Sequence, residues 1–273
     1  MKQKLLVTHP GRYGDCLWAL PTVRALSETF RTKIDLLLSP NYSSDAFREL
    51  LHAQPYVGHV FVNQEWEIVE TAPMTPRIPP NLPPGYDRII HLGYDGWPSL
   101  TLPYEMCGLA EKQVPLTVGS FNLAPWIGTP WKLPCDIAVG FSEEYYELKY
   151  GLDRLLWEHC ALPMARQPLR VVNVSGGHRW DLDNPWTAAA SWIAGAKLFV
   201  GCCSALHVLA CAVGTPVLLV EPAPARHHDI FYPFGKLGPQ VQLLTGGDGL
   251  PTFDSRHLTD AVDARLGLVG ATA

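Results

Sequence analysis

The stretch from Ala196 to Pro222, AKLFVGCCSALHVLACAVGTPVLLVEP, leaves this chain few folds to choose from. Lys197 to Val200 is a short apolar run that ends at Gly201. Cys202, Cys203 and Ser204 then open a helix, with Ser204 suited to its N-cap. Leu206, Leu209, Ala210 and Val213 recur at helical spacing, so one face of that helix is apolar. Gly214-Thr215-Pro216 stops it, and Val217 to Val220 reads as a second buried strand. Buried apolar strands joined through a helix form the βαβ unit of a parallel sheet. A membrane span is the competing reading of Leu198 to Val220, which is long enough and holds no carboxylate or lysine. Gly201, Ser204, Gly214 and Pro216 fall where a βαβ unit must break, and no second such span exists. A helix N-terminus that follows a strand presents free N–H groups and a positive dipole end, which suits a phosphate. A purely structural βαβ unit is the alternative.

The N-terminus shows the same grammar. Lys4 to Thr8 is a strand, His9 to Asp15 a glycine-containing turn, and Leu17 to Phe30 a helix with Leu17, Leu20, Val23 and Leu26 on one face. Pro21 is read as lying near the helix start, where proline is best tolerated. Ile34 to Leu38 is the next strand, which completes the opening of a Rossmann-like domain. Gly11 and Gly14 have the wrong spacing for the dinucleotide fingerprint. Asp15 either caps the helix or serves as a general base, since a carboxylate on the turn after a first strand can take a proton from a substrate hydroxyl. Arg12 is either an anion contact or a solvated turn residue.

These two stretches resemble glycosyltransferase family 9, the ADP-heptose:lipopolysaccharide heptosyltransferases. Val200-Gly201, Ser204 and Gly214-Thr215-Pro216 fit the family's donor-binding pattern, and Gly14-Asp15, Leu20-Pro21 and Arg24-Ala25-Leu26 fit its opening. Cys203 stands where the family has Asp, Ala205 where it usually has Gly, and Val208 where it has His, with His207 one residue early. The resemblance implies a GT-B-like α/β fold, two Rossmann-like domains facing across a cleft. It implies an inverting, metal-independent transfer of a sugar from a nucleotide-diphosphate sugar to a hydroxyl, with no cofactor. Asp15 is then the catalytic base. Arg12, Gly14, Ser142, Lys149, Cys203, Ser204, His207, Gly214, Thr215 and Arg226 are the substrate-binding set. Two alternatives share the fold. One is a glycosyltransferase acting on modified phage DNA or another polymer; the other is a relative that binds a nucleotide sugar without transferring it.

Between the motifs, Asp45 to His52 reads as a helix and Val57 to Val62 as a strand. Ala72 to Tyr86 holds six prolines and reads as a long surface loop. Asp87 to Leu92 is a further parallel strand that ends near His91, here read as a structural histidine, and Leu102 to Leu109 is a short helix. The Pro-, Gly- and Trp-rich run from Gly119 to Pro134 holds the domain linker, giving an acceptor-side domain over residues 1–126 and a nucleotide-sugar domain over residues 127–273. Strands follow at Asp136 to Phe141, Leu169 to Val174 and Val241 to Leu244, and helices at Tyr146 to Cys160, Thr187 to Ala194 and Asp254 to Leu266. Asp181 and Asp183 form a D-x-D pair of the kind that binds Mn²⁺ or Mg²⁺, a weak signal in a turn. His228 shares with Arg226 the potential to neutralise a diphosphate.

Composition excludes several classes. Hydrophobic content of 47% with 17% charged residues describes a core-forming chain. A net charge of −5 argues against a dedicated nucleic-acid binder, though a local basic groove is compatible with it. Seven cysteines without a C-x-x-C read as reduced thiols, and with no signal peptide in the opening residues the expected compartment is the cytoplasm.

Overall fold

A computed structural model of the chain describes residues 3–40, 43–66, 78–93, 102–117, 119–140, 169–174, 186–201, 204–221, 241–245 and 255–268. The chain divides into two compact units, the first over Met1–Gly128 with Trp186 and Thr187, the second over most of the remainder. Each unit carries its own parallel sheet, and each is Rossmann-like, the α/β class the sequence points to.

In the first unit, β1 (Leu5–His9), β2 (Ile34–Leu38), β3 (Val57–Val62) and β4 (Arg88–His91) lie in the order β3-β2-β1-β4. All the pairings are parallel. Every residue of β1 is buried, as a central strand requires. Helices α1 (Tyr13–Phe30) and α2 (Asp45–His52) make the crossovers from β1 to β2 and from β2 to β3, and α3 (Leu102–Gln113) follows β4. The strand order reverses between β1 and β4, so the loop after β1 opens at the topological switch point, the usual ligand edge of such a sheet.

In the second unit, β5 (Cys135–Gly140), β6 (Val171–Asn173), β7 (Ala196–Gly201), β8 (Val217–Glu221) and β9 (Val241–Thr245) lie in the order β6-β5-β7-β8-β9, again all parallel. Helices α4 (Trp186–Gly195, whose first two residues group with the first unit), α5 (Ala205–Val213) and α6 (Ser255–Leu266) complete its described elements. Ile137, Val139, Leu198, Val200, Leu218 and Val220 pack with Leu258 and Val262 of α6 into one core cluster. The switch point here lies between β5 and β7. Among the described residues no helix is long and apolar enough to cross a membrane.

Three expectations need correction. The first helix begins at Tyr13, not Leu17, because its start is capped from within, by Asp15, and not by a capping residue ahead of the apolar run. Pro21 therefore lies in the helix interior, where its missing N–H strands the carbonyl of Leu17 four residues earlier. The indole of Trp126 donates to that carbonyl at 3.0 Å, which satisfies it. The third helix runs on to Gln113, whose side chain bonds both the N–H and the C=O of His91 and so ties α3 to the end of β4. The expected helix over residues 146–160 and the first part of the proline-rich loop lie outside the described residues. Residues 79–86, in the described part of that loop, form no helix or strand.

Candidate active site

The candidate group of the first unit is built around the end of β1. Pro10 restricts His9 to extended backbone and offers no N–H of its own, so the strand stops there. Gly11 and Arg12 turn the chain into α1, with Arg12 as N-cap. Asp15 is the third helical residue, and its Oδ2 accepts the N–H of Arg12 at 3.1 Å. A side chain thus reaches back to the N-cap amide, one half of a capping box. The carboxyl is buried, at 8% exposure. Burial raises its pKa to about 6, against the lowering effects of the Arg12 N–H bond and the Arg12 charge.

His9 is buried beside it. Its Nδ1 accepts the Gly11 N–H at 2.9 Å and lies 3.6 Å from Cys16 Sγ, and the Cys16 thiol donates to the Gly11 carbonyl at 3.4 Å. With Nδ1 accepting, the ring proton sits on Nε2. Burial depresses the His9 pKa to about 3, so the ring is neutral. Burial, and then the charge of Asp15, push the Cys16 thiol well above its ordinary value. Gly11 leaves no room for a side chain: a methyl there would lie 2.4 Å from His9 Cε1, 2.6 Å from Asp15 Cβ and 3.0 Å from Asp15 Oδ2. On β4, opposite Thr8, His91 brings its Nδ1 to 2.8 Å from Thr8 Oγ1. That contact agrees with a structural histidine.

Of the other residues of this loop, Arg12 is exposed and Gly14 half-buried. The ring of Tyr13 meets Phe47 at 4.8 Å and Trp186 at 4.9 Å, all in the first unit. Arg24, part of the opening motif, points elsewhere. Its guanidinium donates to the carbonyls of Asn122 and Pro125 and to the Asn122 side chain, which clasps that segment to α1.

The candidate group of the second unit is the N-terminus of α5. Gly140 and Gly201 stand opposite each other at the ends of β5 and β7. A side chain on Gly201 would meet the Gly140 carbonyl and the Phe199 ring, both at 2.9 Å. The strands therefore close tightly below the helix start. Ser204 is the N-cap, in extended backbone. Its N–H donates to His207 Nδ1 at 2.7 Å, so His207 caps α5 as Asp15 caps α1. Gly214 and Thr215 lie at the other end of α5, roughly 13 Å away at 1.5 Å per residue. Gly214 is the left-handed C-cap at φ 83°, and the Thr215 hydroxyl donates to the Ile193 carbonyl at 2.7 Å. The structure thus brings Ser204 and His207 together, and Arg12, Gly14 and Asp15 together. Gly214 and Thr215 stand apart from Ser204 and His207, at the other end of α5. Ser142, Lys149, Cys203, Arg226, His228, Asp181 and Asp183 lie outside the described residues. Among the described residues no three His, Cys, Asp or Glu side chains stand close enough to share a metal ion.

The sequence reading passed over His9. The available signal was a histidine closing a buried strand just before Pro-Gly.

No family model and no curated protein matches this sequence. Solved structures do match it in fold. The glycosyltransferase family 9 protein from Veillonella parvula superposes with a TM-score of 0.61 at 10% identity, over 98% of this chain and 99% of that one. The heptosyltransferase WaaC of E. coli, solved with ADP-2-deoxy-2-fluoro heptose, superposes with a TM-score of 0.63 at 11% identity, over 96% and 99% of the two chains. The E. coli ADP-heptose lipopolysaccharide heptosyltransferase II gives 0.55 at 13% identity, over 98% and 100%. This chain has the heptosyltransferase fold. Within that fold, Asp15 sits at the switch point of the first sheet and Ser204 beside that of the second.

Proposed function

We propose that the protein is an inverting glycosyltransferase that moves a sugar from a nucleotide-diphosphate sugar to a hydroxyl acceptor. The observation that carries this reading is the buried Asp15 carboxyl in the first turn of α1, just after β1, where burial raises its pKa to about 6. Such a group is ionised near neutral pH yet remains a stronger base than an ordinary carboxylate. In the proposed step Asp15 takes the acceptor's hydroxyl proton as that oxygen attacks the anomeric carbon. The bond from that carbon to the donor diphosphate breaks, and the nucleoside diphosphate leaves from the opposite face. The N-terminus of α5, with Ser204 as cap, receives the diphosphate, because helix N–H groups and the dipole stabilise the charge that develops there. Ser142, Lys149 and Arg226 complete the proposed donor set, Cys203 borders it, and Arg12 contacts the acceptor. His207, Gly214 and Thr215 hold α5 in place. No metal is needed where a helix terminus and cationic side chains neutralise the leaving group. Nucleotide sugars and the free, buried thiols of Cys16, Cys107, Cys135 and Cys211 both fit a cytoplasmic protein.

The test has two parts. ADP, the nucleotide of the sugar bound to WaaC, should raise the unfolding temperature in EDTA. With ADP-heptose as donor probe, Asp15→Asn should lose about 10²- to 10⁴-fold in turnover while still binding ADP. Full turnover in Asp15→Asn sinks the base assignment. A second reading, binding without transfer, draws on Val208, a buried side chain where the family has His. It predicts ADP binding with no donor consumed in a single turnover.

A further inference from the structure

One oxygen of Asp15 accepts the Arg12 N–H, and that amide belongs to the short turn between β1 and α1. The orientation of the carboxylate therefore depends on that turn. The turn is gripped from both sides at Gly11. Its N–H is held by His9 Nδ1 and its C=O by the Cys16 thiol. The Arg12 carbonyl accepts the Cys16 N–H at 2.9 Å, which carries the grip into the first helical turn. The ring and the carboxyl also press on the same point, since a methyl on Gly11 would touch His9 Cε1, Asp15 Cβ and Asp15 Oδ2 together. Meanwhile Nε2 is buried and makes no hydrogen bond. An imidazole kept at a buried position with one nitrogen unsatisfied is an expensive way to fill space. Its acceptor nitrogen gives the reason to keep it.

We propose that His9 is the positioning residue for Asp15: its Nδ1, by accepting the Gly11 N–H, fixes the turn whose Arg12 N–H orients the Asp15 carboxylate. His9 touches no reacting atom and acts through Gly11 and Arg12. The inference deepens the proposed function, because it matters to catalysis only if Asp15 is the base. Its own test does not depend on turnover.

The test follows the Asp15 carboxyl carbon by ¹³C NMR against pH in the full-length chain, with the signal assigned by its loss in Asp15→Asn. His9→Asn places an amide oxygen near the position of Nδ1 and can accept the Gly11 N–H. His9→Gln reaches the position of Nε2 and cannot. His9→Phe keeps the ring and offers no acceptor. Wild type and His9→Asn should share a midpoint at about 6. In His9→Phe and His9→Gln the turn opens to water and the midpoint should fall by about one unit, because burial is the main cause of its elevation. Wild-type titration in His9→Phe overturns the proposal. So does a His9→Asn chain that shifts as far as His9→Phe. Should His9→Phe fail to fold, amide exchange in the wild-type chain decides: a Gly11 N–H that exchanges as fast as an unstructured amide overturns the proposal, and a protected one supports it. Retained turnover in Asp15→Asn removes the base assignment and leaves the titration result standing, so the two failures are distinguishable.

Discussion

A buried carboxyl with an elevated pKa has two measurable consequences. If Asp15 is the base, kcat/KM should rise with pH through a midpoint of about 6 and level off above it. An ordinary carboxylate would place that limb near 4. The second consequence is for stability. The folded state binds the Asp15 proton more tightly than the unfolded chain does, so this group's favourable contribution is complete below about 4 and is lost as pH rises through 6. Asp15→Asn removes the buried charge. It should be more stable than wild type by about 1–3 kcal/mol at pH 8, with the difference gone at pH 4, as read from urea midpoints at the two values. His9 acts in the opposite sense. Its folded pKa is depressed to about 3, so its contribution is present above the unfolded value and is lost as pH falls from about 6.5 toward 3. The role of Asp15 was legible as a pair of options, cap or base, and the structure puts the carboxylate on the cap amide. What the residues alone did not give was His9, because no pattern of spacing reports a ring that folds back over a turn.

Among the elements, α1 shows how proline is accommodated inside a helix. Pro21 strands the Leu17 carbonyl, and Trp126 donates to it from a segment more than a hundred residues away. Trp126→Phe should leave a buried carbonyl unpaired, costing about 1–3 kcal/mol beyond lost packing. In a Pro21→Ala background the new amide can bond Leu17, so the same change should cost less. A double-mutant cycle in urea reads that coupling. The sequence placed every described strand, because buried parallel strands are apolar runs with turn residues at their ends. The start of α1 was misplaced because its cap comes from the third helical residue and the apolar spacing begins only at Leu17. Distant partners such as Trp126 for Leu17, or Asn122 for Arg24, leave no local trace at all.

For the whole molecule, each unit has a complete parallel sheet and its own switch point. Gly201→Ala would drive a methyl to 2.9 Å from the Gly140 carbonyl and should destabilise the second sheet by about 1–3 kcal/mol. Amide exchange should quicken in β5 and β7 and stay slow in β1 and β2, because those strands belong to a different core. Exchange that quickens equally in both sheets would contradict separate cores. The fold class could be read from sequence at this scale because two strand-turn-helix motifs stand one in each half of the chain. The second motif carried more of that reading, since its βαβ unit is contiguous from Ala196 to Pro222.

The absence of any antiparallel pair from the described sheets also sets a clock on the protein's making. Thr8 and His91 meet across 83 residues of chain. Gln113, which grips His91, leaves the ribosome later still. A nascent chain can therefore hold Asp15 beside an unfinished sheet edge for seconds, since synthesis runs at roughly 5–20 residues per second. Pairings this distant in sequence are slow to close. During that interval β1, which the finished sheet buries on both faces, is the segment most exposed to wrong partners, and a chaperone that shields the first few dozen residues should raise the yield of this protein more than one acting on the finished chain.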